Sequence, residues 1–71
     1  MRNEFTAQLH REGKWWVAFC PEVPEANGQG RTREACLSDL AAAIELVFEE
    51  RRAEARKSFG PAVETASMTV G

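Results

Sequence analysis

The side chains of this 71-residue chain that could do chemistry are two cysteines, one histidine and eleven acidic residues. Cys20 precedes a proline in a strand-like run, and Cys36 falls within a helical pattern. Neither has a His or Cys at metal-ligand spacing, so we interpret both as small apolar residues of a reducing cytoplasm. His10 lies on the polar face of an alternating segment, and the sequence places no partner to orient it for catalysis.

The acidic residues are poorly placed for catalysis. Metal-dependent nucleases need several carboxylates within a few ångströms of one another to hold their ions. Asp39 is the only aspartate of the chain, and no acid falls inside the first three predicted strands. Glu22 and Glu25 lie in a bend, each directly after a proline. The sequence therefore predicts no metal site, no catalytic residues and no enzyme.

Gly28 and Gly30 resemble part of a phosphate-binding loop. The segment lacks the third glycine of a dinucleotide fingerprint and the Gly-Lys-Ser/Thr of a P-loop. We interpret these glycines instead as sites of close backbone packing and of a turn with positive φ. No cofactor is predicted.

Length and charge restrict the class of protein. Seventy-one residues suffice for a single domain, residues 1–71, whose small core needs help from a partner copy, a metal or disulfides. A net charge of −2 argues against direct nucleic-acid binding. No stretch has the apolar length of a membrane span, and the N-terminus does not resemble a signal peptide.

Two segments predict an antiparallel hairpin. Phe5–His10 alternates between apolar and polar residues, and the aromatic run Trp15–Cys20 follows a four-residue loop that contains Gly13. The second strand carries Trp16, Ala18 and Cys20 on one face and Trp15, Val17 and Phe19 on the other. One face should meet a helix. The other is either a docking surface or a partly wet face on which a Trp lies flat.

The rest of the chain predicts a bend, a third strand, a helix and a fourth strand. Prolines bend the chain after the hairpin, and Ala26–Gly30 could pair as a short strand. Thr32 is a plausible N-cap for a helix from Arg33 to about Lys57 that stops at Gly60-Pro61. Residues 63–70 alternate again. The helical apolar stripe comprises Cys36, Leu40, Ala43, Ile44 and Val47, widened by Leu37, Ala41 and Phe48.

A basic cluster near the end of this helix has two interpretations. Arg51, Arg52, Arg56 and Lys57 could contact RNA, but interleaved glutamates nearly cancel their charge. A solvated helix end is the interpretation that we favour.

The predicted order is β-β-β-α-β, an α+β fold whose antiparallel sheet is covered on one face by one long helix. The sequence W-V-A-F-C-P-E-V-P, at Trp16–Pro24, is followed by Q-G-R-T-R-E-A, at Gln29–Ala35, and by A-A-I-E-L, at Ala42–Leu46. This ordered set resembles the N-terminal, partial ribonuclease H-like domain of HicB-type antitoxins. The chain departs from that pattern at residues 25–27, which predicts a weak or short third strand.

The resemblance implies the antitoxin of a toxin–antitoxin system, which neutralises a HicA-type mRNA-cleaving toxin by binding it directly. Longer members often add a C-terminal DNA-binding domain, which is not expected in this chain. The cysteines predict a cytoplasmic protein, and exposed strand edges or the Trp-bearing face predict a homodimer or larger homo-oligomer. The alternative is an orphan HicB-like regulatory or small-ligand-binding domain without a toxin, and the chain could also be part of a longer protein. The predicted partner-binding residues are Trp15, Trp16, Phe19, Glu22 and Glu25.

Overall fold

A computed structural model describes residues 4–59 and 63–70 of the chain. It contains a three-stranded antiparallel sheet of order β1-β2-β3, followed by one long helix. The elements are β1 (Gln8–Glu12), β2 (Trp15–Phe19), β3 (Asn27–Gly30) and α1 (Arg33–Phe59). The predicted α+β class, a sheet packed against one long helix, is confirmed.

The hairpin is tighter, and its first strand lies later in the chain, than the sequence predicted. Glu12 pairs with Trp15, so Gly13 and Lys14 alone form the turn. Gly13 has φ 61°, which a two-residue hairpin turn requires and which glycine adopts without steric cost. The predicted start of β1 at Phe5 is wrong. The N–H and hydroxyl of Thr6 donate to the Glu22 carboxylate, which draws this segment toward the bend.

The strand register confirms the predicted assignment of the two faces of β2. Leu9 pairs with Ala18, and Ala18 pairs with Gly28, so these residues share the face that α1 covers. His10 pairs with Val17, and Val17 pairs with Gln29, on the opposite face. A strand places successive side chains on opposite faces, so the alternation within β2 was sufficient to predict this division.

Gly28 and Gly30 bring β3 against α1. A Cβ built on Gly28 would lie 2.5 Å from the Leu40 backbone nitrogen, and one on Gly30 would lie 2.7 Å from that of Cys36. The predicted close packing is therefore confirmed. The positive φ predicted here is wrong, because Gly13 alone has one among the described residues.

The N-terminus of α1 forms as the sequence predicted. The Ala35 N–H donates to the Thr32 hydroxyl at 3.0 Å, and the Cys36 N–H donates to the Thr32 carbonyl, also at 3.0 Å. The first bond satisfies an N–H group that has no partner inside the helix, and the second is the first i→i−4 bond of the helix itself. The helix ends at Phe59, two residues beyond the predicted end. The predicted stop at Gly60-Pro61 lies outside the described residues.

The core is small for a chain of this length. Its largest fully buried side chains are only a valine and two cysteines. From Glu49 to Ser58 the side chains of α1 are all exposed, so this half of the helix projects beyond the sheet. Within residues 4–59 and 63–70, no helix is long and apolar enough to cross a membrane. The buried hydrophobic residues are Ala18, Cys20, Val23, Ala26, Cys36, Leu40 and Ile44.

The predicted fourth strand is not formed within this chain. Residues 63–70 have no regular secondary structure, and all their side chains are exposed. They lie beside the projecting half of α1, where Arg52, Ala55 and Arg56 line a shallow cavity with them. The alternation of apolar and polar residues was not sufficient to predict a strand here, because a strand also needs a neighbouring strand with which its backbone can form hydrogen bonds.

Candidate protein-binding surface

The face of the sheet turned away from α1 carries an exposed aromatic pair, and we call it the open face. Trp15 is 43% exposed and Phe19 is 45% exposed, at opposite ends of β2. Val17 lies between them and is half-buried. No described element covers this surface. The other strand residues on the open face are Gln8, His10, Glu12, Asn27 and Gln29.

Two neighbouring side chains hold these aromatic rings. The His10 ring stacks on Phe19, with centroids 5.9 Å apart and planes 20° apart. The Arg31 guanidinium lies 4.9 Å from the Trp15 ring centroid, within the range of a cation–π contact. His10 also lies 3.2 Å from a Glu12 carboxylate oxygen. The rings are therefore partly ordered before any partner arrives, which reduces the entropy lost on binding.

The open face has the composition of a docking site for protein. Tryptophan and arginine are enriched among residues that dominate binding energy at interfaces, and a polar rim commonly surrounds such aromatic anchors. Here one positive group, Arg31, and one acidic group, Glu12, flank Trp15. A surface of mixed charge suits a protein partner better than the phosphates of a nucleic acid, which require a positive patch.

Trp16, one of the five predicted partner-binding residues, lies on the other side of the sheet. It is half-buried and packs against the core below α1. The Arg11 guanidinium lies 5.2 Å from its ring centroid. The structure therefore gives Trp16 a packing role and does not place it with Trp15 and Phe19.

Glu22 fastens the bend to the segment before β1. Its carboxylate accepts the Thr6 hydroxyl at 2.6 Å and the Thr6 N–H at 2.8 Å. The Cys20 thiol donates to the same carboxylate at 3.3 Å. The two Thr6 bonds and then the Cys20 bond favour the charged form, which lowers the pKa of Glu22 from 4.5 to about 2.

The low pKa of Glu22 predicts an acid-sensitive tether at Thr6. A carboxylate with a depressed pKa adds stability that is fully present above its unfolded value, 4.5, and lost as pH falls through about 2. We expect the Thr6 amide resonance to shift with a midpoint near pH 2 in an NMR titration. Thr6→Val removes the shortest bond and should raise the midpoint measured at the Glu22 side-chain carbon. A midpoint of 4.5 for Glu22 in the unaltered protein would contradict this assignment.

Glu25 is engaged on the helix side of the molecule. Its carboxylate accepts a hydrogen bond from Arg51 of α1 at 2.5 Å. Its own backbone N–H and the Arg51 contact hold the pKa of Glu25 below its ordinary value. The five predicted partner-binding residues therefore do not form one surface. Trp15 and Phe19 share the open face, whereas Trp16, Glu22 and Glu25 make contacts within the chain.

The cysteines have structural surroundings. Both are free and buried, and the Cys36 thiol lies 3.6 Å from the Gly28 carbonyl oxygen, to which it donates. Burial, with a smaller contribution from Asp39, raises the pKa of Cys36, which disfavours the reactive thiolate. Over the two described ranges, no three His, Cys, Asp or Glu side chains come together to hold a metal ion.

Sequence reasoning missed three residues at and beside the open face. Arg31 and His10 support the aromatic pair, and Asp39 accepts a hydrogen bond from the Gln29 N–H of β3 at 3.0 Å. His10 lies diagonally next to Phe19 only in the register of the two-residue turn, which the predicted four-residue loop did not give. The positions of Arg31 and Asp39 depend on where the helix crosses the sheet, which periodicity does not specify.

One known protein is clearly similar to this chain. The two are 41% identical over 59 residues, which cover 80% of this chain and 81% of the relative. The relative is the UPF0150 protein ssl0738 of Synechocystis sp.. No family model matches the chain, and no solved structure matches it.

Proposed function

The chain belongs to the UPF0150 family, and we propose that it is a HicB-like antitoxin module that works by binding protein. In this proposal the open face covers a HicA-type mRNA-cleaving toxin and keeps RNA away from it. In this proposal the protein binds the toxin in the cytoplasm, where its two free cysteines stay reduced.

The observation that carries this proposal is the exposed aromatic pair on a sheet face that no described element covers. Trp15 and Phe19 are each more than two-fifths exposed, although large aromatic side chains gain much from burial. Exposed apolar surface of this kind, rimmed by polar groups, is typical of interaction sites. A partner that buries both rings would remove this surface from water.

The ordered surroundings of the two rings favour a defined docking site. Arg31 contacts Trp15 and His10 contacts Phe19, so each ring has a neighbour on its own face. Glu12, which pairs with Trp15 in the hairpin, adds a negative charge. An RNA-cleaving toxin needs positive charge where it holds RNA, so Glu12 suits that part of the toxin, whereas Arg31 on the same ring suits an acidic side chain of the toxin.

Co-expression with a HicA-type toxin tests the proposal. The toxin would be the one encoded beside this chain, and the readouts would be growth and co-purification through a tag on the toxin. We expect growth to be restored and the two proteins to purify together. A catalytically inactive toxin controls for binding without toxicity, and its complex should form equally well. If the chain is folded but neither restores growth nor binds the toxin, the antitoxin proposal fails.

A further inference from the structure

The side of β1 that faces the helix is incompletely covered. α1 packs chiefly on β3 and less on β2. Between α1 and the segment before β1 runs a groove of about 520 Å³, which we call the β1–α1 groove. Its walls are mainly apolar. The apolar lining residues are Phe5, Ala7, Leu37, Leu40, Ala41, Ile44 and Phe48.

The two outer strands of the sheet differ at their edges. On β3 the Gln29 N–H donates to the Asp39 carboxylate, so a side chain of α1 occupies this position. On β1, within residues 4–59 and 63–70, no strand pairs along the outer edge. An unpaired strand edge beside an apolar groove can accept one more strand. The backbone of that strand would pair with β1, and its apolar side chains would fill the groove.

Residues 63–70 have the pattern of such a strand but no strand partner. Ala66, Met68 and Val70 alternate with Thr65, Ser67 and Thr69. Met68 is 86% exposed and Val70 is 53% exposed, so these apolar side chains are not buried in their own chain. The same molecule therefore presents an unpaired edge with an apolar groove and an unpaired segment with an apolar face.

Within one chain the segment lies at one end of the groove and does not fill it. Thr65–Met68 lies beside Arg52, Ala55 and Arg56, on the projecting half of α1. Arg52 also lines the near end of the groove, and at about 1.5 Å of rise per residue it is about 12 Å along the helix from Ile44 and about 22 Å from Leu37 at the far end. The projecting half buries no side chain on the sheet. A helix gains most of its stability from packing, so this half also needs a partner.

We propose that residues 64–70 of a second copy of this chain fill the β1–α1 groove and pair with the edge of β1. The exchange is reciprocal, so the two copies form a two-fold symmetric dimer in which each sheet gains a fourth strand. The polar residues of the added strand lie on the side of the open face. The apolar residues that enter the groove are Ala66, Met68 and Val70.

The dimer is independent of the proposed function. The groove lies on the helix side of the sheet, whereas Trp15 and Phe19 lie on the opposite face. A dimer formed in this way leaves both open faces available. It also supplies the additional burial that a chain with so small a core requires.

A matched pair of substitutions tests which face of residues 64–70 is buried. Met68→Asp places a charge on the face that enters the groove, and Ser67→Asp places the same charge on the opposite face. We expect the unaltered protein to be a dimer by light scattering, Met68→Asp to raise the dimer dissociation constant at least tenfold, and Ser67→Asp to change it little. Met68 is exposed in the single chain, so its substitution should leave the helical signal in the circular dichroism spectrum unchanged. A monomeric unaltered protein, or a dimer insensitive to Met68→Asp, would overturn the proposal.

Disulfide trapping distinguishes a second copy from the chain's own segment. One sample carries Gln8→Cys, on the open-face side of β1, and is mixed with copies carrying Thr65→Cys, Ser67→Cys or Thr69→Cys. We expect a mixed disulfide with at least one of the three, and none when Lys14→Cys in the hairpin turn replaces Gln8→Cys. The native cysteines are buried and should not interfere. If a chain carrying both substitutions instead forms its disulfide internally as a monomer, the own segment fills the groove and the exchange is refuted.

Discussion

Gly28→Ala is expected to destabilise the fold by about 3 kcal/mol, at the upper end of typical overpacking effects. The new Cβ would lie 2.5 Å from the Leu40 nitrogen and 2.8 Å from the Cys36 carbonyl oxygen. These are helix backbone atoms, which do not move aside as a side chain does. To admit the methyl group, α1 would have to shift away from β3, where most of its contact with the sheet lies. Urea denaturation followed by circular dichroism measures the loss.

Gly13→Ala is the matched control for this substitution. No atom lies within 4 Å of a Cβ built on Gly13, so the cost there is confined to its φ of 61°. A left-handed conformation costs a non-glycine residue about 1–2 kcal/mol. We therefore expect Gly28→Ala to be the more damaging change. Equal losses in the two variants, or a tolerated Gly28→Ala, would show that α1 does not approach β3 as closely as described.

Trp15→Ala is expected to weaken toxin binding by about 2 kcal/mol or more, which is roughly a thirtyfold rise in Kd. Aromatic side chains at the centre of an interface commonly contribute on this scale. The substitution also removes the ring that Arg31 contacts, so the loss includes preorganisation as well as buried area. Phe19→Ala should act in the same direction. Isothermal titration calorimetry with a catalytically inactive HicA-type toxin gives both values.

Leu46→Ala serves as the control for these two aromatic substitutions. Leu46 is 65% exposed, but it lies on α1 and away from the open face. Its removal should leave the affinity unchanged, and all three variants should keep their melting temperatures within a few degrees. If neither Trp15→Ala nor Phe19→Ala changes the Kd, the open face is not part of the toxin interface. The helix side of the sheet would then be the surface to test.

Local patterns in the sequence determined the elements and their faces. The alternation in β2 separated Trp15, Val17 and Phe19 from Trp16, Ala18 and Cys20, because strand side chains point alternately to the two faces. The start of α1 followed from Thr32, whose hydroxyl satisfies a free N–H of the first turn. The apolar stripe on α1 identified Cys36, Leu40 and Ile44 as core residues. Each of these three predictions depends only on residues that are close together in the sequence.

The tertiary structure decided which polar residues meet one another. Thr6 and Glu22 are sixteen residues apart, and their hydrogen bonds draw the chain out of the predicted start of β1. Arg51 and Glu25 are twenty-six residues apart, so their pairing depends on the direction in which α1 crosses the sheet. Neither periodicity nor capping chemistry carries this information. These two contacts engage Glu22 and Glu25, which the resemblance to an antitoxin had suggested for partner binding.

Residues 63–70 show the limit of local pattern most clearly. Their alternation is as regular as that of a strand, yet they form none, because in this chain they lie beside Arg52, Ala55 and Arg56 and pair with no strand. Periodicity reports which face of a segment is apolar but not what that face contacts. The sequence by itself determined three strands, one helix and the two faces of β2. The tertiary structure decided that Trp15 and Phe19 remain uncovered, because the one helix packs on the opposite face of the sheet. It also decided that the β1 edge stays unpaired, because no described strand lies beside it.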